Sequence, residues 1–289
     1  MEGVERLSTR LANIRAVEPI LAALRSIALG NRLLSISRAR RVAEYRQELE
    51  GILASMAASG AGPESVPGMH TETAGRLILL VIGSERGLCG AFNDTVATHA
   101  QRLIAQHAAA GEEVTLVSLG KQTEKALRRQ GRLPVWAGRL SGTALPPLEV
   151  AERLTSEWLA ACEQGELSAV YVAHNTRRGV AGYLPVTTRL LPLTLSAAEA
   201  SEMDWPPIIE TDPQALLDRL ARLWLSAALY ALLLDSAAAE HSARYQLLEG
   251  AVQNAQRMTE ELGMSLQVAR QEAITAEVQD LASGAGLVG

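Results

Sequence analysis

The sequence predicts an α/β fold in which a Rossmann-like domain is inserted between two long terminal helices that pair as an antiparallel coiled coil. Three observations support this prediction. Residues 1–58 carry apolar side chains at helical spacing and contain a single proline. The middle of the chain alternates between short apolar runs and amphipathic segments, a pattern typical of α/β domains. Residues 212–289 contain almost no helix-breaking residue before Ser283.

The N-terminal segment, residues 1–58, predicts one long helix that begins at residue 3. Its apolar residues recur every three or four positions, close to the heptad spacing of a coiled-coil seam. At roughly 1.5 Å per residue the helix is about 80 Å long, well beyond an ordinary globular helix. Pro19 lies inside it and should kink it or remove a hydrogen bond. The predicted seam comprises Leu7, Leu11, Ile14, Val17, Leu21, Leu24 and Ala28.

Residues 76–195 predict the α/β domain, after a loop at residues 59–75 that is rich in Gly, Pro and Ser. The apolar run Arg76–Ile82 fits a buried parallel strand. Tyr183–Leu193 fits an edge or hairpin strand because it contains two prolines, which donate no ladder hydrogen bond. The pattern between them predicts helices at Phe92–Ala109, Lys121–Gln130 and Pro147–Gln164, and strands at Val114–Leu119 and Leu167–Ala173.

The C-terminal segment, residues 212–289, predicts a second long helix after a proline-containing linker at 196–210. Asp212 and Pro213 form a helix start, with Asp as the N-cap and Pro at the first helical position. The helix has about 70 residues and is about 105 Å long. Gly250 and Gly263 interrupt it at a cost of about 1 kcal/mol each. The predicted seam includes Leu216, Leu220, Leu223, Leu248, Ala251, Ala255, Met258, Leu262, Ala269 and Ala273.

Neither long helix buries its seam locally, and long helices gain little stability without packing. Pairing of the two helices with each other is the simplest solution. The alternative is that each helix breaks into pieces that form an ordinary helical bundle.

Composition excludes several function classes. The net charge is -5, so no overall basic surface indicates a nucleic-acid partner. Cys89 and Cys162 are far apart, which fits neither a disulfide framework nor a metal site. His99 and His107 lack the intervening carboxylate of a zinc motif, so no metal or cofactor is expected. No uninterrupted run of 18 apolar residues exists, so no membrane span is expected.

The segment from Ser84 to Asn93 (SERGLCGAFN) is the most specific local motif. It follows the first strand and opens a helix, and its glycines, Gly87 and Gly90, should permit a tight turn. It lacks both glycine-rich nucleotide-binding patterns, so it predicts no nucleotide site.

The same segment resembles the [ST]-D-R-G-L-C-G signature of F-type ATP synthase gamma subunits, with Glu85 in place of Asp. Three later segments resemble that family in the same order: 211–218, 229–233 and 239–244, followed by Asn254 and Ala255. The stretch from Ala269 to Thr275, with Ser283-Gly284-Ala285 beyond it, resembles the family ending R-Q-x-x-I-T…S-G-A. The resemblance covers nearly the whole chain.

The N-terminal helix departs from the family in its residues. Pro19 and Ala22 stand where lysines are expected, and Leu24 replaces a Met of similar volume. Val268 stands where the family has Asn.

The resemblance implies a non-catalytic rotor shaft that transmits torque for ATP synthesis or hydrolysis. The implied partners are three alpha and three beta subunits around one copy of this chain, an epsilon subunit, and the membrane c-subunit ring. No transit-like extension precedes the first helix, so the expected location is the cytoplasmic face of a bacterial plasma membrane, as a peripheral protein.

The resemblance also implies which residues contact other subunits. Arg270, Gln271 and Thr275 match positions expected to touch a catalytic-subunit loop, and an arginine there suits a bidentate pair with a carboxylate. The remaining subunit-contact candidates are Leu24 and Arg25 at the hexamer and Arg86, Gly87 and Cys89 beside the epsilon and c-ring contact.

Two other function classes remain alternatives. A coiled-coil scaffold or adaptor with an α/β head would form a homodimer through its helices. An enzyme would bind a small molecule at the strand C-termini of the α/β domain. The loops after the strands carry no convergent set of catalytic groups, which disfavours the enzyme.

Overall fold

The computed structural model describes residues 2–56, 68, 75–142, 145–179, 182–193, 209 and 211–284. The chain divides into two compact units. The first comprises Met1–Ala28 with Tyr245–Gly289, and the second is Leu29–Arg244. The division falls inside the two long helices.

Five helices and five strands make up the described chain. In order they are α1 (Glu2–Met56), β1 (Arg76–Ile82), α2 (Phe92–Ala109), β2 (Val114–Leu119), α3 (Lys121–Arg129), β3 (Trp136–Gly138), α4 (Leu148–Glu163), β4 (Leu167–Arg178), β5 (Gly182–Leu191) and α5 (Pro213–Gly284).

The predicted fold class is confirmed. Helices of 55 and 72 residues flank the sheet domain without interruption. In the first unit Arg25 pairs with Glu249, and in the second Arg46 lies over the ring of Trp224. Residue numbers in α5 therefore fall as those in α1 rise, which is the antiparallel arrangement.

The sheet has the order β3-β2-β1-β4-β5. Strands β1 to β4 run parallel, and β5 is an antiparallel edge strand paired with β4. The prediction of an edge strand near 183–193 is therefore confirmed. Strand β3 was not predicted, because three residues containing a glycine give no periodic signal.

Separate apolar cores cover the two faces of the sheet. One face, with Leu79 and Val81 of β1, packs against α2 and α3 through Val96 and Leu127. The opposite face packs against α4, α5 and the end of α1. That core includes the fully buried Leu53, Leu80, Leu159, Val172, Leu225 and Leu229.

The predicted seams match the observed burial at most positions. Leu11 and Ala28 of α1 are buried, as are Leu248 and Ala255 of α5. Two predicted seam residues are wrong: Val17 is 48% exposed and Leu223 is 40% exposed. Between Leu217 and Arg244, α5 is buried on nearly every side, so no single stripe describes that stretch.

Both long helices contain glycines at positions where packing would leave room for a side chain. A Cβ added at Gly30 or Gly51 of α1 would meet nothing within 4 Å, and the same holds for Gly250 and Gly263 of α5.

By length and mean hydropathy alone, α1 and α5 each contain an 18-residue window apolar enough to cross a membrane. In α5, 67% of the window is buried inside the protein, whereas in α1 the figure is 11%. Such windows are a weak indication of a span, because core helices share this composition.

Pro19 lies inside α1, which continues through it without a break. A proline has no backbone N–H, so the carbonyl of Arg15 has no helical partner at this position. The expected disturbance is therefore a missing hydrogen bond, and Pro19 itself is exposed.

We predict that Pro19→Ala raises the free energy of unfolding by about 3 kcal/mol, because the helix regains a donor and loses a steric clash. Urea unfolding followed by far-UV circular dichroism measures this. Arg15→Ala, at an exposed position one turn earlier, is the control and should change stability by less than about 0.5 kcal/mol. Equal effects of the two substitutions would contradict the prediction.

Candidate functional site

The turn between β1 and α2 contains two residues with left-handed backbone. Leu88 has φ 62° and Gly90 has φ 60°. Gly90 suits this conformation because it has no Cβ, whereas Leu88 adopts it at an energetic cost. Gly87 does not adopt it, and a Cβ there would meet nothing within 4 Å. The turn therefore requires Gly90, and the prediction that Gly87 also permits it is wrong.

Hydrogen bonds among buried side chains fix the inside of this turn. The N–H of Ser84 donates to Oδ1 of Asn93 at 2.9 Å, and Nδ2 of Asn93 donates to Oγ of Ser84 at 2.8 Å. Oγ of Thr123, at the start of α3, reaches Oδ1 of Asn93 at 3.3 Å. Asn93 thus ties the end of β1 to two helices, a role that its place in the motif did not reveal.

Glu85 links the turn to the edge of the domain. Its Oε2 accepts the backbone N–H of Lys121 at 3.1 Å and that of Leu140 at 3.1 Å. It therefore caps the first turn of α3, where backbone donors have no helical partner and a negative charge is favourable.

Arg244 of α5 holds the same turn from the other side. Its guanidinium donates to the carbonyls of Arg86 and Gly87, each at 3.2 Å, and forms an ion pair with Glu240 at 2.5 Å. It also donates to Nδ1 of His241 at 3.0 Å. Arg244 is 9% exposed, so these contacts replace nearly all of its hydration.

Burial shifts the pKa values of two groups that contact Arg244. Burial raises the pKa of Glu240, and the Arg244 guanidinium acts against that shift. Burial and then Arg244 lower the pKa of His241 from 6.5 to about 4. The His241 imidazole is therefore neutral near pH 7, which suits its Nδ1 as an acceptor.

Burial also raises the pKa of the Cys89 thiol, which is 3% exposed. Its sulfur lies 3.5 Å from Oγ of Ser84. Cys89 packs with Phe92 and Ala239 in a small apolar cluster. It is therefore a packing residue of the turn, and its surface contact with another subunit would have to be indirect.

The crevice in which α/β sheets usually bind ligands is filled by the chain itself. Helices α2 and α3 cover one face and α4 the other, so β1 and β4 border the point where the winding changes direction. There Phe92 is fully buried, and Nδ2 of Asn175 donates to its carbonyl at 2.8 Å. The turn and α5 close this edge of the sheet.

Neither a metal site nor a catalytic set is found among the residues that the structure describes. No group of three or more His, Cys, Asp or Glu side chains there is arranged to hold a metal ion. His99 contacts Oγ of Thr187 at 2.7 Å, and His107 contacts Glu112 at 2.5 Å. These two histidines therefore have ordinary structural partners.

The structure distributes the predicted contact residues over both units. Arg86 and Gly87 are exposed in the second unit, next to the buried Cys89. In the first unit Leu24 is half-buried, and Arg25 pairs with Glu249 at 3.0 Å. The guanidinium of Arg25 is thus already engaged within the helix pair.

Arg270, Gln271 and Thr275 are exposed on α5 in the first unit. Oγ of Thr275 donates to the backbone carbonyl of Gln271 at 2.8 Å. The guanidinium of Arg270 has no acceptor in the described part of the chain, which leaves it available to a partner.

The roles of Arg244, Glu240 and Asn93 were not predicted from the sequence, although all three lie in segments that resemble the family. One signal points to the first two: Glu240, His241 and Arg244 form a polar cluster directly after the most apolar stretch of α5, where α5 is still buried. A charged cluster at such a place predicts a buried network.

We predict that lowering the pH from about 7.5 to about 5 destabilises the protein, with His241 contributing about 2 kcal/mol. The folded pKa lies below the unfolded value, so the unfolded state takes up the proton first as pH falls. Urea unfolding at both pH values measures the loss.

His241→Asn is the matched variant, because the Asn carbonyl keeps an acceptor for Arg244 and does not titrate. The variant should lose about 2 kcal/mol less than the wild type over the same pH range. Glu240 titrates in both proteins, so the difference between them isolates His241. An equal loss in both would contradict the assignment.

Two bacterial relatives match the chain over almost its full length. The ATP synthase gamma chain of Anaeromyxobacter dehalogenans strain 2CP-C is 28% identical over 99% of this chain and 99% of the relative. The ATP synthase gamma chain of Rhizobium etli is 27% identical over 99% of both chains.

Solved structures of rotary ATP synthases share the fold. A chain of the Euglena gracilis mitochondrial ATP synthase, in a structure of OSCP, F1 and the c-ring, has a TM-score of 0.65 and 15% identity and covers 99% of this chain and 94% of its own length. A chain of the Tetrahymena thermophila central stalk and c-ring has a TM-score of 0.59 and 18% identity and covers 80% of this chain and 99% of its own.

The sequence family described as ATP synthase matches residues 3–287, nearly the entire chain. The matched span includes both long helices and the turn that Arg244 holds. The chain therefore belongs to the ATP synthase gamma-chain family.

Proposed function

We propose that this chain is the central shaft of a rotary F-type ATP synthase, transmitting torque between a membrane c-subunit ring and an alpha/beta catalytic hexamer. The observation that carries the proposal is the family match over residues 3–287, in a chain whose two helices of 55 and 72 residues pair with each other. In the part of the chain that the structure describes, no set of catalytic groups converges, and side chains of the protein fill the sheet crevice.

Exposed apolar side chains on the first unit support the proposal that other subunits surround it. Several large apolar side chains of α5 are more than half exposed there, and Ile20 and Ile27 of α1 are 59% and 57% exposed. Contiguous exposed apolar side chains mark interaction surfaces. The α5 residues concerned are Met264, Val268, Ile274, Val278 and Leu281.

This surface suits a shaft that turns inside a ring of subunits. Apolar contacts have no preferred direction, so these exposed apolar side chains resist rotation less than paired charges would. Polar groups between them, such as Arg270, then supply contacts that depend on the orientation of the shaft. Each orientation of the shaft would favour one conformation of each surrounding subunit, which is a population shift driven by differential contacts.

The complete assembly that we propose has three alpha and three beta subunits around one copy of this chain. An epsilon subunit and the c ring contact the sheet domain, near the exposed Arg86 and Gly87. The complex lies on the cytoplasmic face of a bacterial plasma membrane, to which other subunits attach it.

We predict that co-expression with the alpha and beta subunits of the same organism gives a complex of three alpha, three beta and one copy of this chain. Native mass spectrometry measures the stoichiometry, and an ATP hydrolysis assay measures the activity of the purified complex. A homodimer of this chain that ignores alpha and beta would overturn the proposal and favour a coiled-coil scaffold.

Within that complex we predict that Arg270→Gln slows ATP hydrolysis about fivefold, because one charge-assisted hydrogen bond to a neighbouring subunit is lost. Glu272→Gln is the matched control. It lies two residues further along α5 on another face, is also exposed, and should change the rate less than about twofold. If Arg270→Gln leaves the rate of ATP hydrolysis unchanged, Arg270 does not form a hydrogen bond to a neighbouring subunit that matters for rotation.

A further inference from the structure

A cavity of about 730 Å³ lies between α1, the strands β4 and β5, and α5, all within the second unit. Small-molecule sites in proteins have volumes of about 300 to 1,000 Å³. Small side chains on both helices, among them Ala43 and Ala231, keep the space open. We call it the arginine cavity because Arg40, Arg46, Arg177 and Arg189 line it.

The charge of the arginine cavity is positive. Its four arginines face two acids that also line it, Glu50 and Asp235, and Arg40 pairs with Glu44 at 3.1 Å. Oδ2 of Asp235 lies 3.4 Å from Nε2 of the buried His174, and the pKa of Asp235 is lowered, against the effect of burial, by His174 and then by Arg177. A ligand would therefore meet an excess of guanidinium groups.

Two hydrogen-bond donors on the walls of the cavity have no acceptor. Nε of Arg177 and Nε1 of Trp224 are both buried, and neither has a partner in the described part of the chain. Trp224 is 7% exposed, and the guanidinium of Arg46 lies 6.0 Å from its ring centre. Buried donors in folded proteins normally have an acceptor, so these two N–H groups are free to donate to a ligand or to water in the cavity.

We propose that the arginine cavity binds a small organic anion, an apolar body carrying one phosphate or carboxylate group. Arginine recognises both groups through paired N–H donors, and their oxygens would serve Arg177 and the more exposed Arg189. The apolar body lies against the alanines and the ring of Trp224. This assignment is independent of the role of the chain as a shaft.

Isothermal titration calorimetry of the full-length chain with phenyl phosphate tests the proposal. Phenyl phosphate should bind, whereas inorganic phosphate and benzyl alcohol, which lack the apolar body and the charge respectively, should each bind at least about tenfold more weakly. Binding should weaken as salt is raised, because the contact is between charges.

Arg177→Gln should weaken phenyl phosphate binding about tenfold or more, through the loss of a charge-assisted hydrogen bond. Arg178→Gln is the matched control, because the adjacent residue of β4 is exposed and does not line the cavity. Its binding should stay within about twofold of the wild type. Arg189→Gln, at an exposed position, and Ala231→Phe, which fills the space, should also weaken binding.

Three results would overturn the proposal. The first is absence of phenyl phosphate binding at concentrations up to about 5 mM, where even a site of weak affinity is occupied. The second is equal weakening by Arg177→Gln and Arg178→Gln in variants whose thermal unfolding matches the wild type. The third is binding of an oligoglutamate peptide in place of phenyl phosphate, which would assign the cavity to a polypeptide partner.

Discussion

The buried guanidinium of Arg244 is the interaction on which the sheet domain depends. A charge removed from water costs several kcal/mol unless polar groups replace its hydration. Arg244 obtains that replacement from Glu240, from His241 and from two carbonyls of the turn after β1. This requirement constrains both the turn and α5. The turn must keep its carbonyls pointing at α5, and α5 must stay against the carboxyl edge of the sheet.

This requirement also explains why side chains of the protein fill the place where other α/β sheets of this topology bind a ligand. In related α/β topologies the turn after the first strand leaves room for a phosphate at the helix start. Here the space holds Phe92, the pair of Ser84 and Asn93, and the arginine from α5. The elements that elsewhere bind a ligand are used to attach a sheet to a helix of 72 residues.

The sequence predicted most helices and strands, because apolar periodicity and helix-breaking residues determine them. It did not predict contacts between residues that are far apart in the chain. Asp212 and Pro213 located the start of α5, and the run Arg76–Ile82 located β1. The link between Arg244 and Gly87 spans 157 residues, and no local pattern reports it. Leu223 was misplaced because the stretch around it is apolar on all sides, so its spacing does not identify an inner face.

The glycines of the long helices have a mechanical consequence. Gly30, Gly51, Gly250 and Gly263 lie in helix with free space where a Cβ would be, so packing does not account for them. Each lowers the free energy of local unwinding by about 1 kcal/mol relative to alanine. Short stretches around these glycines therefore unwind at a lower cost than the rest of each helix.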